Sequence, residues 1–408
     1  MKFRDYQSKI IKEGVDIISR YGFVYLAMEV RTGKTLTSLG IASKIKAKHV
    51  LFVTKKKAIS SIRIDYEMYS PGFHLDVINY ESLHTVKGNY DLIILDEAHG
   101  LGAFPKPSGR AKQVRQLYNK NNARVILMSG TPTPESFCQM FHQVYFLPNN
   151  PFFNFKNFYA FAKVLAVIKQ KKFGGFTVND YKDGKKIILD RMAPYMISYT
   201  QKQAGFNVEN FETILDVNMK DTTKYLIKKL KQDLVIQGKD EVILADTAVK
   251  LMSKVHQISS GTVKFESGNA QTLDDSKAQF IYDKFGNNKI GIFYKFQQEW
   301  KVLKDVYKDK LTNDLAEFDS TNKSIALQIQ SGREGISLRL ADYLVYYNID
   351  FSATSYWQSK DRMTTKDTKI NHIYWIFSKG GIEHKIYKVV AQKKKYTLDH
   401  FKKDIQTL

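Results

Sequence analysis

The sequence predicts an α/β protein with two lobes, each a parallel sheet flanked by helices. The chain has 408 residues, and because one domain typically accounts for about 150 residues, two packed units are expected. In residues 23–126, and again from residue 290 onward, short apolar runs alternate with amphipathic segments. Buried strands separated by helices are typical of parallel sheets, so both stretches predict the same architecture.

The strands of each lobe follow from these apolar runs. In the first lobe they are FVYLAM, HVLFVT, YDLIILD and ARVILMS, and TLTSLGIASKI after the first strand has helical spacing. In the second lobe they are IGIFYKF, SIALQIQ, ADYLVYYNID and HIYWIFS, with a helix over residues 299–307. We assign residues 1–210 to the first lobe, with a helical and hairpin insertion from about residue 149, and residues 211–408 to a helical connector and the second lobe.

Residues 149–261 have longer helical patterns and are expected to form a mostly helical connection between the lobes. Within them, FTVNDYKDGKKIIL at residues 176–189 has two apolar runs around an Asp-Gly pair, which predicts a β-hairpin. Phe152, Phe155 and Tyr159 fall at helical spacing, which favours core packing over stacking on nucleic-acid bases.

The charge of the chain indicates a polyanionic partner. Lys and Arg number 63 against 41 Asp and Glu, giving a formal net charge of +22 and a pI near 9.6. A field of this size attracts nucleic acid, although a basic surface can also serve solubility alone.

Other compositional features exclude several classes of protein. Cys138 is the only cysteine, so an internal disulfide and a thiolate metal cluster are both excluded. The nine histidines show no metal-ligand spacing, and no transition-metal site is predicted. The first residues lack a signal-peptide core, and no apolar run approaches the roughly 18 residues that span a bilayer. A cytoplasmic protein without membrane partners is expected.

MEVRTGKT, residues 28–35, has most parts of a phosphate-binding loop and lies between a predicted strand and a predicted helix. Gly33 permits close approach of the backbone, Lys34 supplies a positive charge, and Thr35 supplies a hydroxyl for magnesium. The first glycine of the usual pattern is replaced by Met28. Taken alone, the motif is therefore also compatible with an ordinary helix start.

LIILDEAH, residues 92–99, places two carboxylates after a predicted buried strand. Ligands of open α/β sheets bind at the carboxyl ends of the strands. Asp96 is expected to hold magnesium through water, and Glu97 to polarise the attacking water. A strand that ends in a solvated acidic turn is the alternative.

Together these stretches resemble motifs I and II of the superfamily-two helicases and translocases, with DEAH spelled out. Residues 4–7 (RDYQ) resemble the adenine-reading Q motif, residues 53–55 (VTK) motif Ia, and residues 129–132 (SGTP) motif III. MEVRTGKT is similar to the DEMGLGKT form of the Swi/Snf-like branch, in which the first glycine is also replaced. The compact length resembles that of small viral members, which would place the protein in a host cytoplasm.

The second lobe carries the matching motifs. Residues 292–294 resemble motif IV, residues 330–338 (QSGREGISL) resemble motif V, and YWQSKDRMTTKD from Tyr356 resembles motif VI. The usual second arginine of motif VI is replaced by Thr365. An arginine that stabilises charge on the γ-phosphate is important in phosphoryl transfer, so we predict that Arg362 does this work alone, with Lys366 or Arg333 as alternatives.

The resemblance implies two RecA-like lobes that use ATP and Mg²⁺ to move along duplex or branched DNA. It assigns catalysis to Lys34, Glu97 and Arg362, and magnesium binding to Thr35 and Asp96. The residues it implies for nucleotide binding are Arg4, Gln7, Thr32, Gly33, Lys34, Thr35, Asp96, Gly335 and Gln358. Those it implies for nucleic-acid binding are Thr54, Lys55, Ser331 and Gly332.

Three alternatives remain open at this point. One is a fork-remodelling or branch-migrating helicase whose wedge is the hairpin at residues 176–189. Another is an RNA helicase, because DEAH also occurs there. The third is a non-catalytic DNA-binding scaffold, which only Thr365 favours. Lysines 55–57 fit either phosphate contacts or a solvated surface, and the sequence predicts no particular protein partner.

Overall fold

The computed structural model describes residues 3–173, 176–206, 209–332, 336–364, 370–392 and residue 404. The chain divides into two compact units, Met1–Phe206 and Asn207–Leu408. Each unit contains one six-stranded parallel sheet flanked by helices, so the predicted α/β class is confirmed. None of the helices formed by the described residues is long and apolar enough to cross a membrane.

The first unit contains the N-terminal sheet and a separate hairpin. Its strands are β1 (Phe23–Met28), β2 (His49–Thr54), β3 (His74–Asn79), β4 (Leu92–Leu95), β5 (Arg124–Met128), β6 (Ala166–Phe173), β7 (Phe176–Gly184) and β8 (Met196–Tyr199). Its helices are α1 (Asp5–Tyr21), α2 (Lys34–Lys44), α3 (Ile59–Tyr69), α4 (Gly109–Asn121), α5 (Met140–Val144), α6 (Phe158–Leu165) and α7 (Ile187–Met192). The sheet order is β3-β2-β4-β5-β1-β8, and all neighbours are parallel.

The central strands are apolar along their whole length because both faces of the sheet are covered. Successive side chains of a strand point to opposite faces. Ile93 packs into one apolar core and Ile94, the next residue of β4, into the other. The parallel arrangement brings the carboxyl ends of β1, β2, β4 and β5 to one edge, where the segments that follow them meet.

The structure contains a β-hairpin, but the prediction that it spans residues 176–189 is wrong. The hairpin pairs β6 with β7 in antiparallel register, so the predicted Asp183–Gly184 turn lies at the end of β7 instead. Gly184 packs tightly there, since a Cβ would lie 2.8 Å from the Cys138 backbone nitrogen. The second apolar run forms α7, in which Ile188 and Met192 are both fully buried. Their spacing of four residues suits one face of a helix.

The region between the lobes is less helical than predicted. It contributes β8, which pairs with β1 in the first sheet, and the strand Glu209–Val217, which joins the sheet of the second unit. The expected core packing is right for Phe152, which is 1% exposed, and wrong for Tyr159, which is 46% exposed. Phe152 and Phe155 precede α6, so helical spacing does not relate them to Tyr159.

The second unit has the same layered plan. Its strands are β9 (Glu209–Val217), β10 (Val235–Gln237), β11 (Val242–Leu244), β12 (Thr262–Lys264), β13 (Ala270–Thr272), β14 (Ile290–Tyr294), β15 (Leu311–Thr312), β16 (Ser324–Gln328), β17 (Tyr343–Tyr346) and β18 (Ile370–Ser378). Its helices are α8 (Asp221–Asp233), α9 (Ala248–Ser259), α10 (Ser276–Phe285), α11 (Gln297–Tyr307), α12 (Leu315–Ser320), α13 (Ile329–Gly332), α14 (Ala353–Ser359) and α15 (Glu383–Val390). The parallel sheet has the order β15-β16-β14-β17-β18-β9.

Candidate active site

The loop between β1 and α2 has the local geometry of an anion site. Gly33 has φ 80° and ψ 35°, a left-handed conformation that favours glycine, and it begins α2 without a side-chain cap. The first backbone N–H groups of a helix carry a partial positive charge and bind phosphate. Lys34 lies in this first turn, and its Nζ donates to the carbonyls of Met28 at 2.9 Å and Glu29 at 3.1 Å.

The start of α1 packs directly on this loop. Gln7 Nε2 donates to the Gly33 carbonyl at 3.3 Å, and the Gln7 Oε1 accepts from the Arg4 backbone nitrogen at 3.0 Å. The Tyr6 hydroxyl donates to the Thr32 carbonyl at 3.1 Å. A Cβ at position 33 would lie 2.5 Å from Gln7 Nε2, so this contact also requires glycine. Gln7 therefore positions the loop, and its reading of adenine stays a prediction.

A turn after β8 also contacts the loop. The Gln201 backbone nitrogen donates to Glu29 Oε2 at 2.7 Å, and Gln201 Nε2 donates to the Val30 carbonyl at 3.0 Å. Tyr199 stacks on Tyr6 with ring centroids 4.8 Å apart. Sequence reasoning missed these residues, because they lie about 170 positions from the loop and no local motif marks them.

Asp96 follows β4 and is fixed by two neighbours. The Thr54 hydroxyl donates to Asp96 Oδ2 at 2.8 Å, and the Tyr80 hydroxyl donates to the Asp96 carbonyl at 2.6 Å. Burial and the adjacent Glu97 carboxylate raise the pKa of Asp96 to about 6, against the lowering effects of Thr54 and Lys34. Thr54 is 0% exposed. The hydrogen bond gives Thr54 a role in positioning Asp96, and its contact with nucleic acid stays a prediction.

Glu97 has the opposite electrostatic character. Burial alone would raise the pKa of Glu97, but His99 together with Lys34 and Lys55 outweighs it and lowers the pKa to about 2. His99 Nδ1 lies 3.2 Å from Glu97 Oε2. Glu97 is ionised at neutral pH, as a carboxylate that accepts from an attacking water must be. Its φ of 49° is strained for a residue with a Cβ, and such strain concentrates at functional sites.

The segment after β5 connects these groups. Ser129 Oγ lies 3.0 Å from His99 Nδ1 and accepts from the Thr131 backbone nitrogen at 3.1 Å. A Cβ at Gly130 would lie 3.4 Å from the Val30 nitrogen and 3.6 Å from Lys34 Nζ. The predicted motif III thus lies beside both the phosphate loop and the acidic pair within the first unit.

The donor set fits a magnesium nucleotide. Mg²⁺ in proteins usually binds one or two carboxylates together with waters and substrate phosphates. Asp96 would supply the carboxylate and Thr35, in the first turn of α2, the hydroxyl. Within the described ranges no three or more His, Cys, Asp or Glu side chains group to hold a metal by themselves. The residues present therefore suit a metal that shares its ligands with a bound phosphate.

Lys55 and Arg4, two other predicted binding residues of the first unit, lie at its surface. Lys55 follows β2 and is half-buried, while Lys56 and Lys57 are exposed. Its positive charge contributes to the low pKa of Glu97. Arg4 is exposed, and its Nη1 donates to the Tyr6 hydroxyl at 3.0 Å.

Arg362 of the second unit lies in a 3-10 helix, Lys360–Arg362, directly after α14. Its Nη1 donates to the Ile336 carbonyl at 3.2 Å, and its own carbonyl accepts from the Leu338 nitrogen at 2.8 Å. These bonds join the predicted motif VI to the end of the predicted motif V. Gly332 is a packing position, since a Cβ there would lie 2.6 Å from the Phe293 ring.

Several predicted residues lie outside the described parts of the structure. Gln358 belongs to α14 and Ser331 to α13, but their side chains are not among the described ones. The residues that fall outside the described ranges altogether are Arg333, Gly335, Thr365 and Lys366.

Comparison with known families and structures adds to this picture. The SNF2-related domain family matches residues 26–275. A Sulfolobus solfataricus SWI2/SNF2 ATPase core in complex with dsDNA is 16% identical, covering 100% of this chain and 93% of that one with a TM-score of 0.42. The core domain from the same organism is 15% identical, covering 96% of this chain and 89% of that one with a TM-score of 0.42. No curated protein matches the chain.

Proposed function

Because the chain belongs to the SNF2-related family, we propose that the nucleic-acid-dependent ATPase it forms is a DNA translocase. The observation that carries this proposal is the meeting of Lys34, Asp96 and Glu97 at one edge of the first sheet, inside the matched region. A phosphate-binding loop beside one ionised and one metal-suited carboxylate has the parts that phosphoryl transfer to water requires. Movement along DNA is the use of hydrolysis that the family suggests.

Each residue of the site has a role in this proposal. Lys34 and the first turn of α2 hold the phosphates of ATP. Thr35 and Asp96 hold Mg²⁺, which would neutralise charge on the phosphates. Glu97 polarises the attacking water. Arg362 of the second unit stabilises charge on the transferred phosphoryl group, so hydrolysis on the first unit depends on the second.

Duplex or branched DNA is the proposed partner. Lys55 and the exposed lysines after β2 would contact phosphates, which position a protein on DNA without reading its sequence. The chain's net charge of +22 favours such contacts. Gly332, which packs against Phe293, would support the backbone of motif V, and the resemblance to that motif assigns Ser331 to DNA binding.

The test is ATP hydrolysis with duplex DNA, single-stranded DNA or RNA as stimulant. We expect the strongest stimulation by duplex DNA and loss of hydrolysis in Lys34→Ala. Stimulation by RNA alone would favour an RNA helicase. No stimulation by any of the three, with the wild-type protein folded, would favour a non-catalytic scaffold and contradict the proposal.

Fork remodelling or branch migration is the second candidate, and the hairpin of β6 and β7 favours it. Its strands have eight and nine residues, and an element of this kind is a candidate wedge between DNA strands. Replacing residues 168–180 with a short turn should abolish branch displacement while ATP hydrolysis continues. Equal loss of both activities would contradict the wedge. The viral origin and the DEAH-box assignment stay predictions.

A further inference from the structure

A cavity of the first unit is lined by the aromatic segment for which the sequence favours core packing over stacking on bases. It has a volume of about 340 Å³ and lies between the loop after residue 101 and the turn that leads into α6. Ligand pockets typically measure roughly 300–1,000 Å³. Its lining is aromatic and basic and includes no Asp or Glu. We name it the aromatic cavity; the lining residues that matter here are Phe153, Phe155, Tyr159, Lys106, Arg115 and Lys156.

The local sequence turns one ring inward and the next outward. Asn150 Oδ1 accepts from the Phe152 nitrogen at 2.8 Å, and the Asn150 carbonyl accepts from the Phe153 nitrogen at 3.2 Å. This tight turn leaves Phe152 1% exposed and Phe153 66% exposed. The hydrogen bonds of this turn therefore expose Phe153 to solvent at the cavity, while the adjacent Phe152 packs into the core.

The cap of α6 presents the second ring. Asn157 Oδ1 accepts from the Ala160 nitrogen at 3.0 Å and so starts the helix at Phe158. Phe158 is buried at 2% exposed, whereas Tyr159 is 46% exposed and its ring packs edge-on against Tyr181 at 5.9 Å. Large apolar groups exposed together around a cavity mark an interaction site.

The positive charges around these rings indicate an anionic ligand. Lys106, Arg115 and Lys156 line the same cavity, and the Arg115 guanidinium lies 5.6 Å from the Tyr145 ring centroid. Cations without neighbouring carboxylates complement a phosphate. Aromatic rings beside such cations are the combination with which proteins bind single strands, because every base has a face that stacks. In a duplex those faces are already stacked on each other.

We propose that the aromatic cavity binds an unpaired nucleotide of a DNA strand, with its base against Phe153 or Tyr159 and its phosphate near Lys156. This inference rests on the proposed function for its DNA partner and deepens it. The substrate would then contain a single-stranded segment beside the duplex, as a fork or junction does.

The experiment compares two double variants of the full chain, Phe153→Ala with Tyr159→Ala and Phe211→Ala with Tyr225→Ala. The control rings lie in the second unit and are 63% and 60% exposed. Fluorescence anisotropy would measure the affinity of each protein for a blunt duplex and for a single strand carrying 2-aminopurine. Thermal unfolding would verify that each variant folds.

We expect the cavity variant to bind the single strand about tenfold more weakly, because the stacking of the one bound base is lost. The wild type and the control variant should change the 2-aminopurine fluorescence as the base stacks, and the cavity variant should not. Duplex affinity should stay the same in all three proteins. Lys156→Gln should reduce the slope of log affinity against log salt concentration by about one for single-strand binding, because one phosphate contact is lost.

Three results would overturn the inference. They are unchanged single-strand affinity in the cavity variant, equal loss of duplex and single-strand affinity, and self-association of the wild type that the cavity variant abolishes. The last would assign the aromatic cavity to a second copy of the chain. A wild type that bound no DNA would contradict the proposed function itself. The three results above would contradict only the role of the aromatic cavity, so the two failures are distinguishable.

Discussion

At the level of single residues, Asp96 and Glu97 are adjacent carboxylates whose environments shift their pKa values in opposite directions. The pKa of Asp96 is raised to about 6 by burial and by Glu97, while the pKa of Glu97 is lowered to about 2 chiefly by His99. Two carboxyl groups whose environments push their pKa values apart can take different roles in one site. Because the pKa of Glu97 is lowered and that of Asp96 is raised, the acid limb of activity should report Asp96 rather than Glu97.

Replacing Thr54 with Val tests this assignment. The Thr54 hydroxyl lowers the pKa of Asp96, so its removal should raise that pKa further. Ionised Asp96 would then be lost at a higher pH on acidification, and the acid limb of kcat/KM for ATP, which reports the free enzyme, should move upward. The measurement is the pH dependence of kcat/KM in wild type and variant.

Thr85→Val is the matched control, because Thr85 is an exposed threonine of the same unit whose hydroxyl donates to the Ser82 carbonyl. It should leave the acid limb in place. An unchanged limb in Thr54→Val as well would show that Asp96 does not control activity at low pH.

At the level of elements, β9 is joined to motif VI through one carboxylate. Glu212 accepts from Lys360 Nζ at 2.7 Å, from Trp375 Nε1 at 2.9 Å and from the hydroxyls of Tyr356 and Tyr387. These donors come from α14 and the turn after it, β18 and α15. A strand at the edge of the sheet therefore fixes the helix that precedes Arg362.

Replacing Glu212 with Ala should loosen this region. The side chain of Lys360 is only 7% exposed, and removing one partner of a buried ion pair costs about 3–5 kcal/mol. Hydrogen exchange should show faster opening of α14 and β18, with the free energy of opening lowered by about that amount. Glu209→Ala, an exposed carboxylate of the same strand, is the control. Equal protection in both variants would show that Glu212 does not hold these elements.

The elements also differ in how far the sequence predicts them. β1, β2, β4 and β5 are predictable because they are continuous apolar runs buried on both faces. β3 and β8 were missed, since HLDVIN and MISY mix polar with apolar residues, as edge strands partly open to solvent do. The misplaced hairpin turn shows the same limit, because an Asp-Gly pair suits a turn but Gly184 serves close packing.

The residues of the candidate site also differ in how far the sequence predicts them. Lys34, Asp96 and Glu97 belong to short motifs whose spacing carries their chemistry. Tyr80 and Gln201 were missed because their roles come from contacts between distant parts of the chain, which no local pattern records. The position of Thr54 at the end of β2 is readable from the sequence, but its hydrogen bond to Asp96 is not, because no local pattern records the direction of a side chain.

At the level of the whole molecule, the charge of +22 should dominate binding to DNA. Each phosphate contact releases a counterion, so six to ten contacts weaken affinity by about 10³–10⁵ between roughly 50 and 200 mM salt. Affinity for duplexes of unrelated sequence should fall alike, because phosphate contacts carry no sequence information. Titrations at several salt concentrations measure this. A shallow salt dependence or a strong sequence preference would contradict it.

The turnover of Arg362→Ala measures whether ATP hydrolysis needs the arginine proposed from the second unit. An arginine that stabilises the transferred phosphoryl group contributes about 10³-fold or more to kcat. We predict a loss of that order in DNA-stimulated ATP hydrolysis with ATP binding retained, and near wild-type turnover in Arg339→Ala, whose arginine is exposed. Turnover of folded Arg362→Ala close to that of wild type would show that Arg362 takes no part in hydrolysis.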